Sequence, residues 1–122
     1  MLSLPLPVKI FLCLEPTDMR RSFDGLAALV RDFVGADPLS GHLFVFRSKR
    51  GDRVKLLYWA GDGLAIWYKR LEKGVFRFPP ARAAGESVEK SVEIGATDLA
   101  MLLDGVDWSS VKRSPRYQRT PV

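Results

Sequence analysis

The segment 43–78 constrains the fold most, because short stretches within it alternate apolar residues with arginine, lysine or other polar residues. This period-two pattern predicts β-strands, whose successive side chains point to opposite faces of a sheet. The predicted strands are Leu43–Arg47, Arg53–Trp59, Leu64–Arg70 and residues 75–78. Each connection contains glycine, which readily adopts the positive φ values that hairpin turns use. The segment therefore predicts an antiparallel β-meander.

Pairing these strands about their loops predicts which side chains share a face. The β-ladder then sets Trp59 opposite Leu64 and Arg53 opposite Arg70, and the first hairpin sets Arg47 opposite Arg53. One face is apolar almost throughout and is expected to face the core; it carries Phe44, Phe46, Val54, Leu56, Tyr58, Ala65 and Trp67. The other face has an apolar half with Leu43, Leu57, Trp59, Leu64 and Ile66. Its second half is basic and carries Arg47, Arg53, Lys55, Tyr68 and Arg70.

The predicted row Arg47, Arg53 and Arg70 favours an anion-binding site, because directly opposed like charges cost about 0.2–1 kcal/mol per pair. The alternative is that the arginine stems cover Leu57 and Ile66 while their charged ends lie in water. Both interpretations depend on the register, since a shift of one residue moves a side chain to the opposite face.

The chain has 122 residues, a length that predicts one domain with a self-sufficient core. We assign this domain to residues 1–108 and a basic C-terminal tail to residues 109–122. The longest apolar run is too short for a membrane span, and the N-terminal segment lacks the features of a signal peptide. The protein is therefore expected in the cytoplasm, without membrane contact. One histidine and one cysteine, Cys13, exclude a Cys/His zinc cage within one chain.

The net charge of +5 is unevenly distributed along the chain. Residues 47–77 contain nine basic and three acidic residues, whereas residues 78–107 carry a net charge of −4. The tail adds Lys112, Arg113, Arg116 and Arg119. Basic charge concentrated in the meander and tail suits a polyanionic partner. For the tail, solubility is the alternative role.

The N-terminal part predicts a strand followed by a helix. Residues 8–14 are rich in β-forming residues, and residues 22–34 repeat apolar side chains at the 3.6-residue spacing of an amphipathic helix. Thr17 or Asp18 could instead cap a longer helix, and Gly35 is the expected stop.

The C-terminal part predicts a weak strand within residues 87–94 and a short helix at residues 98–104 capped by Thr97. The whole pattern predicts an α+β domain, with an antiparallel β-meander sheet, one longer N-terminal helix and one short C-terminal helix.

Catalytic groups are sparse. His42 has no identifiable serine or cysteine partner, so a structural histidine is favoured over a general base. Four aspartates could gather around Mg²⁺ for phosphodiester cleavage, but each also suits a helix start or a turn: Asp18, Asp24, Asp52 and Asp62. We predict no catalytic residue, no metal site and no cofactor.

The residues favour nucleic-acid binding through a basic, aromatic-bearing sheet face. Arginines would neutralise phosphates, while Tyr68 and Trp59 offer rings on which unpaired bases can stack. The predicted contacts are Arg47, Lys49, Arg50, Arg53, Lys55, Tyr68, Arg70, Lys112 and Arg113.

Six ordered blocks carry a family resemblance. They are residues 17–26 (TDMRRSFDGL), 41–46 (GHLFVF), 50–55 (RGDRVK), 59–64 (WAGDGL), 69–74 (KRLEKG) and 102–108 (LLDGVDW). In this order and spacing, residues 5–108 resemble the TnpB accessory proteins, which the second open reading frame of insertion-sequence family 66 encodes.

The resemblance implies a protein encoded beside a DDE-type transposase and needed for efficient transposition, unrelated to the RNA-guided nucleases that share the TnpB name. It supplies no catalytic residues. Three hypotheses follow: a non-enzymatic DNA-binding accessory factor, an adaptor for the transposase or a sister accessory protein, and, least favoured, a metal-dependent nuclease. The adaptor would use the apolar half of the sheet face or the helix surface near Arg20 and Arg21. Oligomeric state and the choice between single-stranded and duplex DNA stay open.

Overall fold

The computed structural model describes residues 8–85 and 87–104. In chain order its strands are β1 (Ile10–Cys13), β2 (Leu43–Arg47), β3 (Arg53–Trp59), β4 (Leu64–Arg70), β5 (Ala83–Ala84), β6 (Ser87–Val88) and β7 (Ser91–Ile94). Five of them form one sheet in the order β4-β3-β2-β1-β7, and β5 pairs with β6 in a separate two-stranded ribbon. The predicted bounds of β2, β3 and β4 are confirmed.

Two helices accompany the sheet. Helix α1 (Phe23–Leu29) begins after the N-cap Ser22, continues as a π-helical turn over Val30–Val34 and ends at Gly35, whose φ is +78°. Helix α2 is Ala96–Leu103. The α+β class, with a longer N-terminal and a short C-terminal helix, is confirmed.

The sheet is mixed, because β1 runs parallel to β2, with Ile10 opposite Leu43, while the other neighbours are antiparallel. Helix α1 lies in the connection from β1 to β2, as parallel neighbours require a crossover. The predicted meander thus describes only β2, β3 and β4.

Each face of the sheet is covered by one helix. On the α1 face, Leu26, Ala27 and Val30 pack with the sheet residues Cys13, Phe44, Phe46 and Leu57. On the α2 face, the helix residues Leu99, Leu102 and Leu103 pack with Ile10, Leu12, Leu14, Leu43, Val45, Val54, Leu56, Phe76, Val92 and Ile94. Each fully buried leucine contributes about 1.5–3 kcal/mol to stability. The sheet is therefore the middle layer of three.

The predicted register of the first hairpin is wrong by one residue. Arg47 lies opposite Val54 instead of Arg53. The backbone N–H of Ser48 donates to the carbonyl oxygen of Arg53 at 2.9 Å, so Ser48 extends the ladder and the loop comprises residues 49–52. A loop one residue shorter than predicted moves β2 by one position against β3 and inverts its faces.

As a result, Arg47 and Leu43 lie on the α2 face, whereas Phe44 and Phe46 lie on the α1 face. The second hairpin has the predicted register throughout, including Arg53 opposite Arg70.

Residues 75–78 form no strand, contrary to the prediction. Phe76 is nevertheless buried, and its N–H donates to the carbonyl oxygen of Gly51 at 2.7 Å. The alternation in this segment therefore reflects irregular backbone that inserts an aromatic ring into the core.

Residues 87–94 divide into β6 and β7, so the weak strand belongs partly to the ribbon and partly to the main sheet. The N-cap of α2 is Gly95 instead of the predicted Thr97, and the Gly95 N–H donates to Oδ2 of Asp98 at 3.2 Å. None of the helices in the described part of the chain is long and apolar enough to cross a membrane. The predicted boundary at residue 108 and the basic tail lie outside the described residues.

Candidate nucleic-acid interface

Lys55 ties the chain before α1 to the sheet. Its side chain is on the α1 face, and its Nζ donates to the carbonyl oxygens of Met19 and Arg21, each at 2.8 Å. The residue is only 8% exposed, so the two carbonyls replace the water that a buried ammonium group needs. Lys55 therefore holds the turn of residues 18–21 over this end of the sheet, and its burial leaves little of the side chain accessible for the predicted phosphate contact.

An open cleft of about 520 Å³ lies between this turn and the β2–β3 hairpin. It is lined by Pro16, Thr17, Asp18, Met19, Ser48, Lys49, Arg50, Asp52 and Arg53. Ser48 orders the hairpin wall, because its Oγ accepts from the backbone N–H groups of Gly51 and Arg53 at 3.2 and 3.1 Å. The same hydroxyl donates to Oδ1 of Asp52 at 3.2 Å. The predicted contacts Lys49, Arg50 and Arg53 thus share a defined cavity.

We call the cationic side chains around the cleft and the adjoining sheet edge the basic surface; they are Arg20, Arg21, Lys49, Arg50, Arg53 and Arg70. Two of them form exposed ion pairs, Arg20 with Asp18 at 2.7 Å and Arg70 with Glu72 at 3.3 Å. Hydrogen bonds from Arg20 lower the pKa of Asp18 to about 2.

Lys49, Arg50 and Arg53 form no ion pair with any carboxylate in the described part of the chain. Exposed ion pairs such as those of Arg20 and Arg70 are weak, so these two cations can also exchange their partners for another anion. The basic surface therefore presents more positive charge than it neutralises internally.

Tyr68 adjoins the basic surface on β4. Its hydroxyl oxygen accepts from Nη1 of Arg53 at 3.4 Å, and the Nζ of Lys55 lies 4.8 Å from its ring centroid. Arg53 is directly opposite Arg70, so the structure brings together Arg53, Tyr68 and Arg70 as predicted.

Arg47 lies apart from this group, on the α2 face. Its Nη2 donates to the carbonyl oxygen of Leu14 at 3.2 Å, and its guanidinium lies 5.5 Å from the ring centroid of Phe78. Burial lowers the pKa of Arg47. Its Nε is buried and has no hydrogen-bond partner among the described residues. The predicted row of Arg47, Arg53 and Arg70 is therefore wrong, and Arg47 instead contacts Leu14 and Phe78.

Comparison with known protein families shows the family of the chain. The profile of the IS66 Orf2-like protein family matches residues 8–113. The chain belongs to this family. Family membership confirms the resemblance and associates the chain with IS66 insertion elements.

Two relatives come from Sinorhizobium fredii (strain NBRC 101917 / NGR234). The chain is 38% identical over 115 residues to the uncharacterized protein y4jC, covering 94% of this chain and 93% of the relative. It is 35% identical over 101 residues to the uncharacterized protein y4hO, covering 83% of each. No solved structure matches the chain.

The second wall of the cleft, formed by Pro16, Thr17, Asp18 and Met19, was not predicted from the sequence. Arg20 and Arg21, which were predicted to belong to a helix surface, lie in the turn before α1, beside Asp18. The sequence feature that could have indicated this turn is the stretch TDMRR, residues 17–21, which precedes the helix. Of the apolar half suggested as an adaptor surface, Leu57, Leu64 and Ile66 belong to the cluster beneath α1, where Leu57 is fully buried, and Leu43 lies on the α2 face.

Three of the candidate catalytic residues have structural contacts. Asp18 binds Arg20, Asp52 binds Ser48, and Nδ1 of His42 accepts from the backbone N–H of Lys9 at 3.0 Å. Across residues 8–85 and 87–104, no three His, Cys, Asp or Glu side chains are grouped to hold a metal ion. Cys13 is buried, which raises the pKa of its thiol. Lys112 and Arg113 lie outside the described residues.

Proposed function

We propose that this IS66 Orf2-like protein is a non-enzymatic accessory factor that binds the DNA of its insertion element through the basic surface. The observation that carries the proposal is the convergence of Lys49, Arg50 and Arg53 on one cleft without carboxylate partners among the described residues. The role as an accessory to transposition rests on family membership.

Repulsion within the basic surface supports an anionic partner. Arg53 and Arg70 are directly opposed across β3 and β4, an arrangement that costs about 0.2–1 kcal/mol. Phosphate groups placed between such cations would offset this cost and release counterions from the DNA. The backbone of the hairpin is held by Ser48, so the cations reach the cleft from a fixed support.

The residues have different roles in this proposal. Lys49 and Arg50 extend from the hairpin loop to contact phosphates, and Arg53 and Arg70 extend the contact onto the sheet. Lys55 positions the opposite wall through Met19 and contacts no phosphate itself. The tail residues Lys112 and Arg113 would add sequence-independent affinity.

A salt titration with a double variant tests the proposal. Affinities of the wild type and of Lys49→Ala/Arg50→Ala are measured by fluorescence anisotropy with one labelled oligonucleotide, single-stranded and as a duplex. Each lost phosphate contact lowers the slope of log K against log salt by about 0.7 on a single strand or about 0.9 on a duplex. We therefore expect the double variant to lose about 1.4 or about 1.8 in slope.

The double variant Lys9→Ala/Arg31→Ala is the matched control, because it removes the same charge from exposed positions outside the basic surface. Lys9 precedes β1 at the end of the sheet away from Arg53. The control should keep the wild-type slope. Equal losses in both variants, or no binding of either DNA by the wild type at about 50 mM salt, would contradict the proposal.

A second candidate function is that of an adaptor for the transposase or a sister accessory protein. The favouring observation is that β4 pairs only with β3 within the described residues, which leaves an edge able to accept an extended segment of a partner. Main-chain pairing is insensitive to salt, so co-purification should persist at high salt. Replacing Ile66 by proline on β4 should abolish such a complex, and a complex that dissociates at moderate salt would contradict it.

A further inference from the structure

Tyr68 is unusual among the apolar and aromatic residues of the α1 face because it remains 47% exposed. Leu64 and Ile66, the preceding residues of β4 on this face, pack against the core cluster beneath α1. The turn and the helix therefore cover this face up to Tyr68 and leave its ring at the edge of the sheet.

The ring of Tyr68 is held from two directions. Nζ of Lys55 lies 4.8 Å from the ring centroid, and this ammonium is itself fixed by the carbonyl oxygens of Met19 and Arg21. Nη1 of Arg53 donates to the hydroxyl oxygen at 3.4 Å. Because Lys55 is buried, the ring face toward it is covered, and the exposed area belongs to the opposite face and the ring edge.

Two arginines lie on the same face of the sheet as this exposed ring, Arg53 and Arg70. Arg53 contacts its hydroxyl, and Arg70 follows two residues along the same strand, about 7 Å away at the spacing of an extended chain. An aromatic face beside cations that bind phosphate is the arrangement by which proteins bind single strands, stacking a base while neutralising its backbone. Bases within a duplex are stacked on both sides and offer no free face.

We infer that Tyr68 is a stacking platform for an unpaired base, and that the DNA recognised at this part of the basic surface is single-stranded. This inference rests on the proposed function and adds the class of DNA to it. Lys55 and Arg53 are positioning residues for the ring: they fix its orientation before DNA binds, so that little side-chain entropy is lost on stacking.

The test compares Tyr68→Leu and Tyr68→Phe on a single-stranded oligonucleotide and its duplex at one salt concentration. Tyr68→Leu keeps an apolar cover for Lys55 but removes the ring, so single-strand affinity should fall about 5- to 150-fold while duplex affinity changes less than about twofold. Tyr68→Phe should stay within about threefold of the wild type, because the ring face remains.

Phe23→Leu is the matched control, since Phe23 is an aromatic residue of similar exposure, 45%, on α1. It should leave both affinities unchanged. Neither leucine variant alters charge, so the salt slope should remain that of the wild type.

A second measurement uses only the wild-type protein and therefore does not depend on variant stability. A deoxyribose-phosphate strand of equal length without bases should bind about 5- to 150-fold more weakly than an oligo-dT strand. Equal binding of the two strands, or equal losses on single strands and duplex in Tyr68→Leu, overturns the platform while leaving the proposed function intact. Absence of any DNA binding by the wild type overturns both.

Discussion

Gly51 shows how a single residue holds the hairpin wall of the cleft. Its φ is +83°, and a Cβ built at this position would lie 3.2 Å from Cβ of Val75. Its carbonyl oxygen also accepts from the N–H of Phe76 at 2.7 Å. Glycine is therefore required both by the backbone conformation and by the close approach of the segment that follows β4.

We predict that Gly51→Ala destabilises the protein more than Gly74→Ala. Gly74 has nearly the same φ, +82°, but open space where its Cβ would be, so its substitution costs only the backbone term of about 1–2 kcal/mol. The contact with Val75 should add about 1 kcal/mol or more at Gly51. Urea denaturation of both variants measures the difference, and equal losses would contradict the role of Val75.

Residue types alone could not predict whether Lys55 and Arg47 are available to bind a ligand. Both belong to a basic, alternating stretch, which correctly predicted their strands. The acceptors of Lys55, however, are backbone carbonyls of Met19 and Arg21, about 35 positions away, and backbone groups carry no side-chain signature. Tertiary contacts of this kind decide whether a cation on a strand is available to a ligand.

At the scale of elements, the β2–β3 hairpin shows why local patterns predict strands better than register. The alternation gave the bounds of β2 and β3 because each strand is long enough to repeat its period. The length of the loop depends on whether Ser48 pairs with β3 or belongs to the turn, and serine is compatible with both positions. One hydrogen bond, from Ser48 to Arg53, therefore decided the face on which Arg47 lies.

We predict that Ser48→Ala weakens this hairpin. The substitution removes the side-chain acceptor of the Arg53 N–H in a site where Ser48 is only 7% exposed, whereas the Gly51 N–H keeps the carbonyl oxygen of Ser48 at 3.0 Å. We expect a loss of about 1–3 kcal/mol. Ser40→Ala is the control, because Ser40 accepts from the N–H of His42 in an exposed loop where water can substitute, and it should cost less than about 0.5 kcal/mol. Chemical denaturation distinguishes the two, and equal effects would contradict the buried role of Ser48.

The same scale explains the error at residues 75–78. The residues there alternate between apolar and polar as in a strand. The segment nevertheless packs against the hairpin loop through Phe76 and forms no β-ladder with β4. A short run of four residues contains too few periods to separate a strand from irregular backbone with one buried ring.

At the scale of the whole molecule, β1 occupies an interior position in the sheet, between β2 and the edge strand β7. The sequence predicted the strand but not this position, because pairing between distant segments leaves no local pattern. The core on the α2 face depends on β7 and α2, which contribute Val92, Ile94, Leu99, Leu102 and Leu103.

We predict that a chain ending at residue 85 does not fold cooperatively. It loses five core side chains, each contributing about 1.5–3 kcal/mol, which together approach the total stability of about 5–15 kcal/mol of a small domain. Thermal unfolding followed by circular dichroism tests this expectation. A chain ending at residue 108 is the control and should keep a cooperative transition, as the predicted domain boundary requires. A cooperative transition in the shorter chain would contradict the prediction.

The interior position of β1 also sets an order of events during synthesis. β1 is made before the other described strands, yet one of its two neighbours, β7, is among the last described segments to be made. The hairpins of β2, β3 and β4 can form early from near neighbours in the chain, whereas closing the sheet at β1 requires the longest loop in the fold. Until β7 emerges, the nascent protein exposes one edge of a largely buried strand, the kind of surface that chaperones recognise and that is prone to aggregation.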